Sequence, residues 1–323
     1  MKSILTLRGV AFLTLSLCCA AAHAQAFPIR PIHIIVPFAP GGGTDVLTRI
    51  VAQQMSEEMK QQVIVDNKPG AGGALAAAVV AKALPDGYTL YVGSTATAMM
   101  PSLYKNLSFD PIADFAPIAL IGTSPFILVM NNHVPAKTLG EMIALAKAKP
   151  GGFSYGSAGN GSVNHVGMEL FKSMAGVEIL HVPYKGSSAA LVDVIGGQVS
   201  MMLDTVVSSA QHVKNNTVRA LAVTSAERSS LTPNLPTVSE QGPKGFEVTV
   251  WYGLVAPKGT PNAVLQKLNT EVNKALASPA VRLRYATLGA EPTQSTVEEF
   301  GKLINAEEKK WTSVVKSANI RAE

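Results

Sequence analysis

Strand-like and helix-like segments alternate along most of the chain, and this alternation limits the folds open to it. Short apolar runs at 32–36, 63–65, 88–93 and 179–183 are typical of buried strands, and a loop and then a helical pattern follow each of the first two. Strands that alternate with helices form largely parallel sheets covered on both faces. Two runs of such units, with one more strand at 248–256 and closing helices, predict two α/β lobes with crossing connections.

Several helix starts are marked by capping residues. Thr44 is predicted to cap the first helix after a glycine-rich loop, and Ser162 is predicted to cap another. Thr138 with Glu141, and Thr296 with Glu299, have the spacing of a capping box, in which each side chain bonds the other residue's backbone N–H. These signals place the helix N-termini directly after strands or loops.

The first residues have the pattern of a cleaved export signal. Lys2 and Arg8 precede an apolar stretch at 10–22, and Ala22-His23-Ala24 is a cleavage site of the A-x-A type, so residues 1–24 are predicted to be a signal peptide. Cys18 and Cys19 are the only cysteines and lie inside that segment, where Leu17 fits a lipid-attachment site poorly. The mature protein is therefore expected in the periplasm, without a disulfide or a zinc–thiolate site.

The charge balance is mildly positive. The formal net charge is +5 for the full chain, and removal of Lys2 and Arg8 lowers it by two to +3. No cluster of Lys and Arg is interleaved with aromatic residues, so nucleic acid is not expected as a partner. A weak positive balance favours small anions slightly, although it also fits an ordinary solvated surface.

Two loops between a strand and a helix are suited to holding an anion. The first is Phe38-Ala39-Pro40-Gly41-Gly42-Gly43-Thr44-Asp45, and the second is Gly156-Ser157-Ala158-Gly159-Asn160-Gly161-Ser162. Glycines let the backbone approach a ligand closely, and the N–H groups that follow lie at the positive end of a helix. In open α/β sheets, ligands bind beyond the carboxyl ends of the strands, where both loops are expected. The alternative is that the loops are only tight turns.

Other polar residues near strand ends have two interpretations each. Asp45 either caps the first helix or organises its loop, and His165 is interpreted as bracing the second loop rather than acting as a catalyst. Asp204 ends an apolar strand, where it either receives a ligand amino or hydroxyl group or caps the next helix. Tyr184 follows another strand and is a candidate cleft wall, with Lys185 at the rim.

Patterns of common enzyme sites are incomplete in this sequence. Gly41–Asp45 lacks the Lys-Ser/Thr of a phosphate-binding P-loop, and Leu75 occupies the third glycine position of a dinucleotide fingerprint beginning at Gly70. Tyr155 stands where a nucleophile elbow around Ser157 requires glycine. The remaining enzymatic alternative is a secreted hydrolase using Ser157 or Ser162 with His165. No cofactor, metal site or catalytic residue is predicted.

The chain resembles the Bug family, the periplasmic receptors of tripartite tricarboxylate transporters, over essentially its whole mature length. The resemblance is carried by motifs in a fixed order: Arg30-Pro31-Ile32 leading into Pro37–Asp45, Asn67–Gly73, Pro85-Asp86-Gly87-Tyr88, His181–Gly186, and Ala256–Pro261. Small departures exist at Ala39, where proline is frequent in the family, and at Ala74-Leu75, where Asn-Ile is frequent. These departures bear on the identity of the ligand more than on the binding mode.

The resemblance implies a fold similar to type II periplasmic binding proteins, a Venus flytrap with two α/β lobes and a central cleft. On that basis residues 25–125 and 248–323 are expected to form lobe 1, and residues 126–247 lobe 2. It implies that backbone amides of Phe38–Thr44 and Ser157–Ser162 hold a carboxylate, and that Ser94, Thr95 and Thr97 add cleft contacts. The candidate ligand-binding residues are Phe38, Ala39, Gly42, Gly43, Thr44, Ser94, Thr95, Thr97, Ser157, Ala158, Gly159, Asn160, Ser162, His165, Tyr184 and Asp204.

These patterns predict a monomeric receptor and not an enzyme. Its expected ligand is a di- or tricarboxylate, an acidic amino acid or an aromatic acid, which the closed lobes would present to a membrane permease. The alternative partner is a membrane signalling sensor, which a receptor of the same sequence pattern would serve equally well.

Overall fold

The computed structural model describes residues 27–228 and 232–322, so the predicted signal peptide at 1–24, with Cys18 and Cys19, lies outside the described residues. The strands are β1 Ile32–Val36, β2 Val63–Asn67, β3 Thr89–Ser94, β4 Phe115–Met130, β5 Ser154–Ser157, β6 Leu180–Pro183, β7 Met201–Thr205, β8 Arg219–Val223 and β9 Thr249–Pro257. The helices are α1 Gly43–Met59, α2 Ala74–Ala81, α3 Thr95–Leu103, α4 Leu139–Ala148, α5 Val163–Ala175, α6 Ser187–Gly196, α7 Val206–Lys214, α8 Val238–Gln241, α9 Asn262–Ala277, α10 Pro279–Leu288 and α11 Val297–Ser317.

The strands follow the order β2-β1-β3-β9-β4-β7-β5-β6, and β8 pairs with β4. Strands β1, β2 and β3 are mutually parallel, as are β5, β6 and β7, whereas β9 runs antiparallel between β3 and β4. Parallel strands in both halves require crossover helices on the faces, which the alternating sequence supplies. The predicted two-lobed α/β architecture is confirmed.

Strand β4 belongs to both halves of the protein. It pairs with β9 as far as Pro125 and with β7 and β8 from Phe126 or Ile127 onwards. The chain returns from lobe 2 where the Val248 N–H donates to the Thr224 carbonyl, immediately before β9. The lobe boundaries at 125/126 and 247/248 stay predictions, and this change of pairing partner along β4 supports them.

Most of the predicted caps are present. The hydroxyls of Thr138, Ser162 and Thr296 accept from backbone N–H groups in the first turns of α4, α5 and α11. The capping box of Thr296 with Glu299 is complete, whereas Glu141 accepts from the Lys137 N–H instead of the Thr138 N–H, so the second predicted box is only half formed. The prediction for Thr44 is wrong, because α1 begins two residues earlier than a Thr44 cap implies and its cap is Gly42, which has an extended backbone and no side chain to bond. Thr44 therefore lies inside the first turn.

The C-terminal helix α11 packs against strand β9 through Phe300, which is fully buried. A Cβ at Gly253 in β9 would lie 2.1 Å from Phe300 Cζ, so this glycine leaves the room that the ring occupies. The ring also meets Trp251 edge-on, with 5.5 Å between the ring centroids. Across residues 27–228 and 232–322, no helix has the length and hydropathy needed to cross a bilayer.

Candidate functional site

A small cavity of about 30 Å³ lies where the two lobes meet. Six of the predicted residues line it: Phe38, Gly42, Gly43, Thr44, Ser94 and Ala158. The rest of its lining comes from Phe126, Val163, Asn164, Ser187, Thr205, Val250 and Tyr252, none of which was predicted. The structure thus brings the two predicted loops together at one site between the lobes.

The lining residues include the beginnings of α1, α3, α5, α6 and α7. Each helix start presents the positive end of the helix dipole and first-turn N–H groups without a partner inside the helix. At α3 and α5 the hydroxyls of Ser94 and Ser162 already bond one of these N–H groups each. Sequence reasoning identified the starts of α1 and α5, and the resemblance added that of α3. No lysine, arginine or carboxylate is among the lining residues that the structure describes, so the cavity is polar at several helix starts and uncharged in its side chains.

The first loop is held in shape by Asp45. Its carboxylate accepts from the Gly41 N–H at 3.0 Å, from Asn67 Nδ2 at 2.9 Å and from Arg49 Nε at 3.0 Å. Burial pushes the pKa of Asp45 upward, but these hydrogen bonds outweigh burial and hold the pKa below its usual value. Asp45 is therefore the organiser of the loop, since its oxygens are occupied by the loop and its neighbours.

Gly42 and Gly43 allow lobe 2 to approach lobe 1 closely. A Cβ at Gly42 would lie 2.8 Å from Ser187 Oγ, and a Cβ at Gly43 would lie 2.6 Å from Thr205 Oγ1. Direct bonds join the lobes beside the cavity: the Ala39 N–H donates to the Lys185 carbonyl at 3.2 Å. The absence of a side chain at Gly42 and at Gly43 thus allows the two lobes to close over the cavity.

The polar side chains of the second loop mostly bond within their own lobe. Ser157 Oγ accepts from the Gly159 N–H and lies 2.6 Å from His181 Nε2, while Ser162 Oγ donates to the Gly159 carbonyl at 2.6 Å. Ala158 alone of this loop lines the cavity, followed by Val163 at the start of α5. The Asn160 carbonyl instead accepts from the Tyr104 hydroxyl of lobe 1 at 2.9 Å.

The predicted contacts after β3 are divided between capping and the cavity. Ser94 lines the cavity and caps α3 in a reciprocal capping box with Thr97. The Thr95 hydroxyl accepts from the Trp251 N–H at 3.1 Å, which ties α3 to β9. Thr95 and Thr97 lie outside the cavity lining, so their direct contact with a ligand stays a prediction.

Tyr184 and Asp204 also lie outside the cavity lining. The Tyr184 hydroxyl donates to Asp193 Oδ2 at 2.6 Å, and burial together with this carboxylate raises the pKa of Tyr184 to about 12. Asp204 is fully buried, and its carboxylate accepts from the Thr205 N–H and the Ser209 hydroxyl. Burial raises the pKa of Asp204. The cap residue of α7 is Thr205 and no side chain bonds a first-turn N–H of this helix, so Asp204 is not its cap. Its receipt of a ligand amino or hydroxyl group stays a prediction.

The hydrolase alternative does not fit this geometry. The pairing with His165 that this alternative requires is not formed, because His165 Nδ1 accepts from the Gly161 N–H of the second loop at 3.2 Å, in agreement with its interpretation as a residue that braces the loop. Ser157 instead pairs with His181, and its side chain is fully buried. A nucleophile must reach its substrate, and this hydroxyl faces the interior of lobe 2. Within the described part of the chain, no cluster of three or more acidic or histidine side chains could hold a metal ion.

A stack of rings supports the second loop from behind. His181 lies between His165 and Tyr155, at ring-centroid distances of 4.3 and 4.8 Å. Burial, and then the neighbouring His165, lower the pKa of His181 from its ordinary 6.5 to about 4. Nε2 of neutral His181 can therefore accept a hydrogen bond from the Ser157 hydroxyl, which a protonated ring could not do.

This pKa predicts a loss of stability in acid. Between about pH 6.5 and pH 4 the unfolded chain binds a proton at residue 181 that the folded protein does not, so the free energy of unfolding falls as the pH falls. We expect a contribution on the order of 2 kcal/mol across this window. Urea unfolding at several pH values should show a shallower slope for His181→Gln than for the wild type. His133→Gln, at an exposed position, is the matched control, and an unchanged slope in His181→Gln would contradict the prediction.

Comparison with known proteins agrees with the fold. The family described as tripartite tricarboxylate transporter family receptor matches residues 47–320. The chain is 35% identical to the protein BugT of Bordetella pertussis over 323 residues, which cover 99% of this chain and 99% of BugT.

Two solved structures are similar along most of their length. The structure of Rpa4515 from R. palustris with adipate has 36% sequence identity and a TM-score of 0.88, covering 91% of this chain and 99% of that chain. The structure of MatC (Rpa3494) from Rhodopseudomonas palustris with bound malate has 35% identity and a TM-score of 0.86, covering 90% of this chain and 100% of that chain. The chain therefore belongs to the tripartite tricarboxylate transporter family receptors, the Bug-type periplasmic solute-binding proteins.

Proposed function

We propose that this receptor holds a small carboxylate in the cavity between its lobes and presents it to the membrane subunits of a transporter. The observation that carries the proposal is the convergence of the starts of α1, α3, α5, α6 and α7 on a cavity whose described side chains carry no charge. Such a site attracts an anion through backbone N–H groups and helix dipoles rather than through a cationic side chain.

The magnitudes make this mode of binding sufficient. One helix N-terminus contributes about 0.3–1 kcal/mol toward an anion at the surface and up to ~2 kcal/mol when partly buried. Several helix starts around one carboxylate, together with direct N–H bonds, would add such contributions without a cationic side chain. The adipate in Rpa4515 and the malate in MatC support a carboxylate as the ligand class. The signal-peptide pattern at residues 1–24 supports a periplasmic location.

Binding requires the lobes to separate and close again. The cavity is small, about 30 Å³, and residues that line it from both sides, such as Thr44, Thr205 and Tyr252, are buried. The lobes must therefore part for a ligand to enter, with β4 and the chain entering β9 as the hinge. Closure then follows from tighter binding of the ligand to the closed form than to the open one.

A thermal and chemical unfolding screen tests the proposal. The purified mature protein is unfolded with and without adipate, malate, glutamate or benzoate, with adipamide as the uncharged analogue of adipate. A ligand present at 100 times its Kd should raise the free energy of unfolding by about 2.7 kcal/mol. We expect at least one carboxylate to do so and adipamide to have no effect. A folded protein that no small carboxylate stabilises would show that the cavity has another role.

A further inference from the structure

Tyr252 in β9 carries a buried hydroxyl without a hydrogen-bond partner among the described residues. The residue is 1% exposed and lines the cavity between the lobes. Its hydroxyl oxygen would lie 3.0 Å from a Cβ at Gly43, and the Thr205 hydroxyl is close to the same point. The hydroxyl is therefore located between the starts of α1 and α7, on the wall of the cavity.

An unpartnered hydroxyl in this position is costly to the folded protein. Burial without a hydrogen bond removes its contacts with water and replaces them with nothing. The nearest hydroxyl, Thr205 Oγ1, bonds Ser208 Oγ at 3.0 Å; it lowers the pKa of Tyr252 a little but makes no hydrogen bond of normal geometry to the tyrosine hydroxyl. A ligand oxygen in the cavity would supply the missing acceptor.

The hydroxyl is suited to donate rather than to accept. Burial, and then the nearby Asp204, raise the pKa of Tyr252 well above its ordinary value, so the phenol keeps its proton at every pH the protein meets. A carboxylate is acceptor-only when ionised and forms a charge-assisted bond with such a donor.

We propose that Tyr252 donates a hydrogen bond from its hydroxyl to the carboxylate group of the ligand, at the point between the N-termini of α1 and α7. It is then a ligand-binding residue contributed by the strand that returns to lobe 1, in addition to the two glycine-rich loops. The inference rests on the proposed function, since it assigns a further donor to the same carboxylate.

The variant Tyr252→Phe tests this assignment, because it removes the hydroxyl and keeps the ring. The affinity of each carboxylate in the panel that binds the wild type is measured by titration calorimetry. We expect the Kd to rise about 10- to 100-fold, which is the usual range for a hydrogen bond to a charged group. The Tm without ligand should stay equal or rise, because the variant removes an unsatisfied buried group. A residue with a merely structural role would not produce these opposite changes.

Tyr285→Phe is the matched control. Tyr285 is also fully buried with an unpartnered hydroxyl, but it does not line the cavity, so its variant should bind with the affinity of the wild type. Unchanged affinity in Tyr252→Phe, alongside clear binding by the wild type, would overturn the assignment and leave the proposed function standing. A loss of affinity confined to ligands that carry a second oxygen-bearing group would also overturn it, since the carboxylate group common to all the ligands would then be held elsewhere. Failure of the wild type to bind any carboxylate would remove both proposals.

Discussion

Gly43→Val is expected to weaken carboxylate binding by at least about 100-fold while the protein remains folded. The new Cβ would lie 2.6 Å from Thr205 Oγ1 and 3.0 Å from the Tyr252 hydroxyl, and the two methyl groups beyond it would project into the cavity. The closer approach is to Thr205, in the predicted lobe 2, so the main clash opposes closure of the lobes, whereas the contact with Tyr252 requires a shift of only a few tenths of an ångström. Valine is acceptable to the backbone at the first residue of α1, where the conformation is helical.

Calorimetric titration with the carboxylate that binds the wild type measures the effect, and urea unfolding confirms that the variant is folded. Gly140→Val is the matched control, because Gly140 is also in the first turn of a helix and a Cβ there meets no atom within 4 Å. The control should bind like the wild type. Binding by Gly43→Val within about 3-fold of the wild type would show that closure over this cavity is not needed for ligand capture.

Phe300→Ala is expected to lower the free energy of unfolding by about 3–5 kcal/mol. The ring is fully buried, fills the space left by Gly253 and packs edge-on against Trp251, so its removal leaves a cavity between α11 and β9. Neighbouring side chains are fixed by the sheet and can collapse into the space only in part. The loss is therefore larger than the transfer free energy of the ring alone.

Equilibrium urea unfolding gives the measurement, and Phe300→Leu should lie between the wild type and the alanine variant. Leu283→Ala in α10 serves as the control, because this leucine is 69% exposed and its truncation should change the free energy of unfolding by less than about 0.5 kcal/mol. Equal losses for Phe300→Ala and Leu283→Ala would mean that α11 does not stabilise lobe 1 through this contact.

Local sequence patterns predicted most of the secondary structure for a physical reason. Apolar runs such as Ile32–Val36 are buried on both faces, and hydroxyl caps such as Ser162 bond groups only three residues away. Both signals depend on neighbours in the chain. Helix α3 was not predicted, because it contains Pro101 and follows its strand without a loop. The short α8 was also missed, because it lies in a segment rich in Ser and Pro whose local pattern favours a connection.

The candidate site was predicted only where the same local rule applied. Ser187 and Thr205 also stand between a strand and a helix, so the reasoning used for the two glycine-rich loops would have identified them. Phe126, Val250 and Tyr252 come from the connections between the lobes, and nothing in their sequence neighbourhood marks a cavity wall. Their position depends on how the lobes close, which is set by contacts between residues far apart in the chain. The pairing of Ser157 with His181 is of the same kind.

The position of β9 between β3 and β4 has a consequence for assembly of the protein. The N-terminal half cannot complete its sheet when its own residues have been synthesised, because one edge of β3 stays unpaired until residues 249–257 arrive. Lobe 2, by contrast, is encoded between β3 and β9, so all its strands are synthesised before residue 249. A nascent chain of this receptor should therefore reach its final topology only when β9 is synthesised and joins two partly formed halves.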